Sequence, residues 1–356
     1  RDDPIERWLP DFRYHTYLGS ITLRSLMSHM SGLGRDWPAG DASGAWPRAL
    51  VGGGPPPINN LDFPSLEMVL EAISETAPIS APYVYPVYSN TGYSLLGMAN
   101  VAANRASEGR GAPTSHAGLV ERDIFGPLAF NGTSFLPNDD TIQRLVVASV
   151  APDEVDLDFQ DLSNPACGQM SSLRDLVRAS QMLLDPEREG QVSVISERTL
   201  SEWLRPIHSW FDGFSEVGAV WEIYSSKDSY GRTQKLYQKL GELAGHHTAL
   251  TLNPASSYAI VILTTGPTSQ TTDLTNFVIK RIQSVFDEEA SAAARSTFEG
   301  TWESDDSLSR VQIAVQNGAL FVREYILNGT DVLGVLQNAS MPKPLALWTL
   351  APGEFR

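Results

Sequence analysis

Apolar residues fall at helical spacing through the first half of this chain and at alternate positions through much of the second. In residues 21–33, Leu23, Leu26, Met27 and Met30 share one face, Thr22 can cap the start and Gly32 suits the end, which predicts a helix. Leu66, Val69, Leu70 and Ile73 predict a second over 65–74, ended before Pro78. Leu95, Leu96, Ala99, Ala102 and Ala103 predict a buried helix directly after Asn90, and residues 119–125 a short one. Ser172, three positions ahead of Asp175, opens a helix through Leu184 that Pro186 stops, and 200–204 add a further turn or two. Period-two runs take over at 218–224, 233–241, 248–252 and 258–265, with Asn253-Pro254 as a turn. Strands so closely spaced must form an antiparallel meander. Residues 272–286 return to helical spacing, with Leu274, Val278, Ile282 and Val285 inward. From Phe298 the pattern is all strand, and Asn317-Gly318 between 311–315 and 320–327 is a strong hairpin signal.

These elements imply an α+β fold, an antiparallel sheet flanked by helices with a mostly helical lobe, followed by a small C-terminal all-β domain. A boundary near residue 295 divides 1–290 from 296–356, in keeping with 356 residues at about 150 per domain, and no internal repeat is present. Residues 1–12 read as polar and extended, anchored by Trp8-Leu9-Pro10; residues 34–60, rich in Gly and Pro, read as a long loop of the kind that forms lids or cleft walls. Lys plus Arg number 26 against 42 for Asp plus Glu, a net charge of −16. So acidic a surface repels phosphate backbones and anionic lipid, which argues against nucleic-acid and membrane-surface partners. No apolar run approaches the roughly 20 residues of a bilayer span. Cys167 is the sole cysteine, so these residues hold no internal disulfide and no Cys-based zinc site. Acceptor sequons at Asn131, Asn328 and Asn338 lean toward a secreted, glycosylated eukaryotic protein. The chain opens at Arg1 without Met or a signal-like apolar segment and reads as a piece of something longer, or a processed form.

Two stretches offer chemistry. Tyr88-Ser89-Asn90 follows a Pro-bearing extended segment and precedes the apolar helix, an arrangement that sets a phenol and an amide on a rigid support. A tyrosine there can relay protons when a cation stabilises its phenolate, and an asparagine can hold a substrate amide from both ends. The plainer alternative is a helix start whose Tyr packs and whose Asn caps. In Lys239-Leu240-Gly241, alternation puts Lys239 and Gly241 on one strand face, the lysine a fixed charge and the glycine room for a substrate backbone. The N–H of Glu242 could then face a developing oxyanion. Here the alternative is a solvated lysine guarding an edge strand. His246 and His247, adjacent on a strand, point to opposite faces and cannot share a metal; His29 reads as a packed or hydrogen-bonded helix residue. Ser31 and Ser89 have no Lys or His at activating helical spacing, and Gly52-Gly53-Gly54 precedes prolines where a phosphate-cradling loop would precede a helix.

The order of these stretches resembles the serine hydrolases of the class C β-lactamase, D-Ala-D-Ala carboxypeptidase and esterase group. Residues 21–33 resemble the helix those proteins place after their nucleophile, Tyr88-Ser89-Asn90 their Tyr-x-Asn element, residues 166–175 the lead into a later helix, and Lys239-Leu240-Gly241 their Lys-Thr-Gly. The likeness covers roughly residues 1–286, and the tail from Phe298 resembles the small β domain of fungal secreted members. It implies that Tyr88 acts as general base or proton shuttle, that Asn90 holds the acyl amide, and that Lys239 lowers the Tyr88 pKa and attracts a substrate carboxylate. Leu240 and Glu242 depart from the pattern: one removes a hydroxyl and the other sets a carboxylate beside the oxyanion position. Both favour a neutral small-molecule ester, amide or thioester over a penicillin-like carboxylate. No cofactor is implied. The group's nucleophile lies in a Ser-x-x-Lys motif ahead of all these elements, and the one such match, Ser340 to Lys343, lies in the tail and contains Pro342. The chain is therefore expected to begin downstream of its nucleophile and to be inactive as it stands. A secreted non-catalytic scaffold and an acyltransferase of secondary metabolism are the alternatives, the latter with Trp37, Trp46 and Trp221 as an apolar cleft wall.

Overall fold

Helices in this computed structural model open where a side chain can satisfy free backbone donors. It describes residues 1–14, 19–36, 63–139, 141–338, 345–347, 349–351 and 354–355. Thr22 accepts from the Ser25 amide while the Ser25 hydroxyl accepts from the Thr22 amide, a reciprocal cap that starts α1 (Leu23–Met27). Single serines do the same for α2 (Leu66–Glu75), α3 (Asn90–Glu108) and α4 (His116–Val120) through Ser65, Ser89 and Ser115. After α5 (Gln160–Cys167), Ser172 caps α6 (Leu173–Leu184) and Ser196 caps α7 (Glu197–Trp203). Gly97 lets α3 approach α5: a Cβ there would lie 2.1 Å from the Pro165 ring.

The helix predicted over 21–33 stops at Met27. His29 takes a positive φ of 57°, and the carbonyls of His29, Met30 and Gly32 accept from the amides of Val87, Tyr83 and Ile79. Bonds to a distant segment replace the i to i+4 ladder, so amphipathic spacing outlasts the helix itself. Gly32 is required there, because at φ +78° a Cβ would sit 2.0 Å from the Ser80 carbonyl oxygen. Residues 1–12, expected to be extended, instead form a helical turn at Ile5–Arg7 and bury Ile5 and Phe12. Those two join Leu26, Val69, Ile73 and Leu95 in the first core.

The second core, around Met182, Leu200, Trp221, Ile223 and Leu252, lies on a six-stranded sheet. Its order is β1 (His208–Ser209), β2 (Ser215–Val217), β3 (Glu222–Lys227), β4 (Thr233–Glu242), β5 (His246–Asn253) and β6 (Tyr258–Thr265). β1 and β2 are too short to show alternation in the sequence. The strand expected from 218 begins only at Glu222, because Val220 adopts φ +75° and donates its N–H to the Met27 carbonyl. β4 lies inside this order, so Lys239 is no edge guard.

Contacts divide the chain into two units: residues 1–225 with 235–275, and residues 226–234 with 276–356. The division falls within α8 (Thr271–Phe298), so 276–290, assigned from the sequence to the first domain, cluster with the second. No Pro or Gly interrupts α8, and nothing local marks the change. Its faces also depart from expectation: Thr271, Thr275, Gln283, Asp287 and Ser291 are buried with Ile279, whereas Leu274 and Val285 are exposed. Hydrogen bonds explain the inversion, since Gln283 accepts from Gln234 and Asp287 from the Ser229 amide. In the second unit β7 (Gly300–Glu303), β8 (Arg310–Gln316), β9 (Ala319–Leu327) and β10 (Thr330–Asp331) form a meander, and β11 (Leu345–Ala346) pairs with β9. Asn317 and Gly318 take the two positive φ angles of the expected hairpin turn, and Asn328-Gly329 repeats it between β9 and β10. A short α9 (Val332–Asn338) adds a helix the pattern did not announce.

Candidate active site

Tyr88 stands immediately before α3, where the backbone is held from both sides. Val87 donates to the His29 carbonyl at 2.8 Å, and the Ser89 amide donates to His29 Nδ1 at 3.0 Å. Ser89, fully buried, spends its hydroxyl on the helix cap and on the Gly34 carbonyl at 2.7 Å. It is therefore the cap of α3, and Asn90 is the first helical residue. The tyrosine ring, 37 % exposed, rests on the His29 imidazole with ring centres 4.4 Å apart.

From β4, the Lys239 amine reaches 5.1 Å from the centre of that ring. The amine also donates to the Leu240 carbonyl at 2.8 Å and lies 3.5 Å from a Glu222 carboxylate oxygen. A phenol from the helical lobe and an amine from the sheet thus share one site, although they are far apart in sequence. The Arg35 guanidinium carbon stands at 5.1 Å from the same ring centre, so two cations face one aromatic group. Among the described residues the Tyr88 hydroxyl makes no hydrogen bond.

Asn90 points its amide nitrogen at buried Asp36, 2.7 Å away, and its backbone N–H donates to the Arg35 carbonyl at 2.8 Å. A carboxylate accepts only, so the Asn90 amide oxygen necessarily turns away from Asp36. Gly241 pairs with Thr248 across β4 and β5, and a Cβ there would fall 2.5 Å from the Thr248 hydroxyl. The Glu242 carboxylate is engaged by His247 Nδ1 at 2.5 Å and the Ser269 hydroxyl at 2.6 Å. Burial pulls the His247 imidazole downward, but the Gly266 carbonyl and Glu242 together leave it above its ordinary range.

His29 behaves in the opposite way. Burial first, then the charge of Lys239, push its imidazole down to about 3, so the ring is neutral. Because Nδ1 accepts from Ser89, the ring proton resides on Nε2. His246 binds the Val146 carbonyl and Glu154, partners distinct from those of His247. Among the described residues no group of three His, Cys, Asp or Glu side chains is placed to hold a metal ion.

Sequence reasoning selected Tyr88, Asn90, Lys239, Gly241 and Glu242, and missed Arg35, Asp36 and Glu222. The Arg35-Asp36 charge pair was visible, but its contacts with Tyr88 and Asn90 bridge more than 50 positions of chain. Trp221 is a core residue packed at a tilt against Trp203, not a cleft wall; Trp37 and Trp46 lie outside the described residues. His29 lies past the end of α1, not on it. Ser31 is fully buried, and Ser340 to Lys343 lie outside the described residues. Asn131 and Asn328 are exposed, whereas the Asn338 side chain falls outside the described set.

The protein-family model described as Beta-lactamase matches residues 1–283. The chain belongs to the beta-lactamase family of serine hydrolases. Within this family it is 32% identical over 254 residues to the beta-lactamase-like protein str6 of Strobilurus tenacellus, covering 68% of this chain and 83% of that protein. A beta-lactamase-like protein of Arthroderma benhamiae is 26% identical over 291 residues, and there the match spans only 45% of the relative's length. Among solved structures, a class C beta-lactamase from Rhodobacter sphaeroides aligns with a TM-score of 0.59 at 17% identity, covering 79% of this chain and 78% of that one. At that identity the likeness establishes the shared fold. No helix among the described residues is long and apolar enough to cross a membrane.

Proposed function

We propose that this chain carries the proton-relay and substrate-holding part of an acyl-transfer site, acting on a small neutral ester, amide or thioester through an acyl-enzyme. The only Ser-x-x-Lys match in residues 1–356 is Ser340 to Lys343, so no attacking serine is assigned within them and no acyl-enzyme is expected from these residues alone. The observation that carries the reading is the approach of the Lys239 amine to 5.1 Å from the Tyr88 ring centre. In this scheme the Tyr88 phenolate takes the proton of the attacking hydroxyl and returns it to the leaving group. Lys239 balances the phenolate charge, and Asn90, fixed by Asp36, holds the acyl amide. Glu242 keeps a carboxylate near the oxyanion position, which favours neutral substrates over anionic ones.

A fluorophosphonate probe with intact-mass detection tests this. No serine adduct is expected on residues 1–356, and a stable one would overturn the missing-nucleophile reading. A longer gene product bearing Ser-x-x-Lys ahead of Arg1 should label, and Tyr88→Phe should slow that labelling by about 100-fold or more. Unchanged labelling in Tyr88→Phe refutes the relay. If the longer form fails to label at all, a non-catalytic binding scaffold replaces the enzyme reading.

A further inference from the structure

We infer that Arg35 is a positioning residue for Tyr88, a second cation that stabilises the phenolate alongside Lys239. The inference rests on the reading of Tyr88 as a proton relay and extends it to a residue outside the Tyr-Ser-Asn and Lys-Leu-Gly stretches. The Arg35 guanidinium carbon and the Lys239 amine stand at the same distance, 5.1 Å, from the Tyr88 ring centre. A cation against an aromatic face is attracted by the neutral ring and more strongly by the ring of a phenolate, whose charge is delocalised over it.

Backbone hydrogen bonds fix the main chain from which this guanidinium extends. The Arg35 carbonyl accepts from the Asn90 and Thr91 amides at 2.8 and 3.2 Å, filling two of the free donors at the start of α3. The Gly34 carbonyl accepts the Ser89 hydroxyl next to them. Asp36 then links both halves of the site, 3.6 Å from Arg35 Nε and 2.7 Å from the Asn90 amide nitrogen.

Each cation beside the ring has a carboxylate of its own. Lys239, on β4, is offset by Glu222 on β3 at 3.5 Å, and Arg35 is offset by Asp36 at 3.6 Å. His29 beside the ring is neutral, and Tyr93, tilted against His29, is kept protonated by burial and by the nearness of Tyr88. Each carboxylate weakens its own cation's pull on a phenolate, and the two cations act on one ring. Because the Arg35 side chain is well exposed, solvent and salt screen its share.

An arylsulfonyl fluoride reads this directly. The phenolate oxygen attacks sulfur, fluoride leaves and an aryl sulfonate ester forms, so the rate at fixed pH follows how readily the phenolate appears. Labelling is followed by peptide mass spectrometry, with Tyr88→Phe as the site control and exposed Tyr85 as the internal reference. Arg35→Gln is expected to slow labelling at Tyr88 by about three- to tenfold with Tyr85 unchanged. Arg35→Lys should retain most of the rate, and raising the salt should narrow the gap between the parent and Arg35→Gln. Labelling of Arg35→Gln at the parent rate overturns the proposal. So does an equal loss in Arg35→Lys, which would point to ring packing rather than charge. No serine takes part, so a failure here leaves the acyl-transfer reading standing, and failure of fluorophosphonate labelling in the longer form leaves this result standing.

Discussion

Acid should destabilise this protein through His29. The imidazole is almost fully buried, and burial followed by the Lys239 charge takes it from 6.5 down to about 3. In the unfolded chain the same ring accepts its proton near 6.5. A folded-state pKa below the unfolded one means that the unfolded state binds more protons in between. The stabilisation is therefore complete above pH 6.5 and drains away as the pH falls toward 3. At about 1.4 kcal/mol per unit, about 2 kcal/mol is lost by pH 5 and about 4 to 5 kcal/mol by pH 3. Carboxylates also titrate in that range, so the test is a difference. His29→Asn keeps a residue that tolerates φ +57° and offers an amide oxygen to the Ser89 N–H, but it does not titrate. Urea unfolding of parent and variant at pH 7, 6 and 5 should show their stability gap moving by about 2 kcal/mol in the variant's favour. A gap that stays constant from pH 7 to 5 refutes the assignment of a neutral, buried imidazole.

Two further changes probe the support of the site. Gly97→Ala should destabilise by about 1 to 3 kcal/mol in urea unfolding, because the Cβ at 2.1 Å from the Pro165 ring outweighs the roughly 1 kcal/mol that alanine gains over glycine within a helix. A neutral or stabilising result would contradict the close approach of α3 and α5. Glu154→Gln breaks up a carboxylate that accepts from the Ala244 and Gly245 amides at 2.7 and 2.8 Å and meets His246 at 3.3 Å. Amide hydrogen exchange at 244 and 245 should quicken by about tenfold, and unchanged protection there would show that the turn holds without it.

What the sequence announced, and what it hid, follows the range of the forces concerned. Thr22 and Ser172 were readable as caps because a cap is settled within three residues. Asn317-Gly318 was readable because its turn geometry is local. The early end of α1 was not, since it depends on carbonyls of 29–32 bonding to amides of 79–87. The faces of α8 were misread because apolar spacing was taken to mean inward, whereas Gln283 and Asp287 hold the buried side by hydrogen bonds. At the site, Tyr88 and Lys239 each sit in a recognisable run, but Arg35 and Asp36 acquire their meaning only once α3 is folded against them.

α8 turns threonine, glutamine, aspartate and serine inward while leaving Leu274, Phe277 and Val285 in water. Beyond Ile279 and the half-buried Val278 and Ile282, melting it uncovers little new hydrocarbon, and hydrating the released polar groups lowers the heat capacity. Calorimetry should then find a smaller increment for this segment than the usual 12–15 cal/mol/K per residue, and a correspondingly flatter stability curve. A helix secured in this way also holds its grip in the cold, where contacts that depend on the avoidance of water fade.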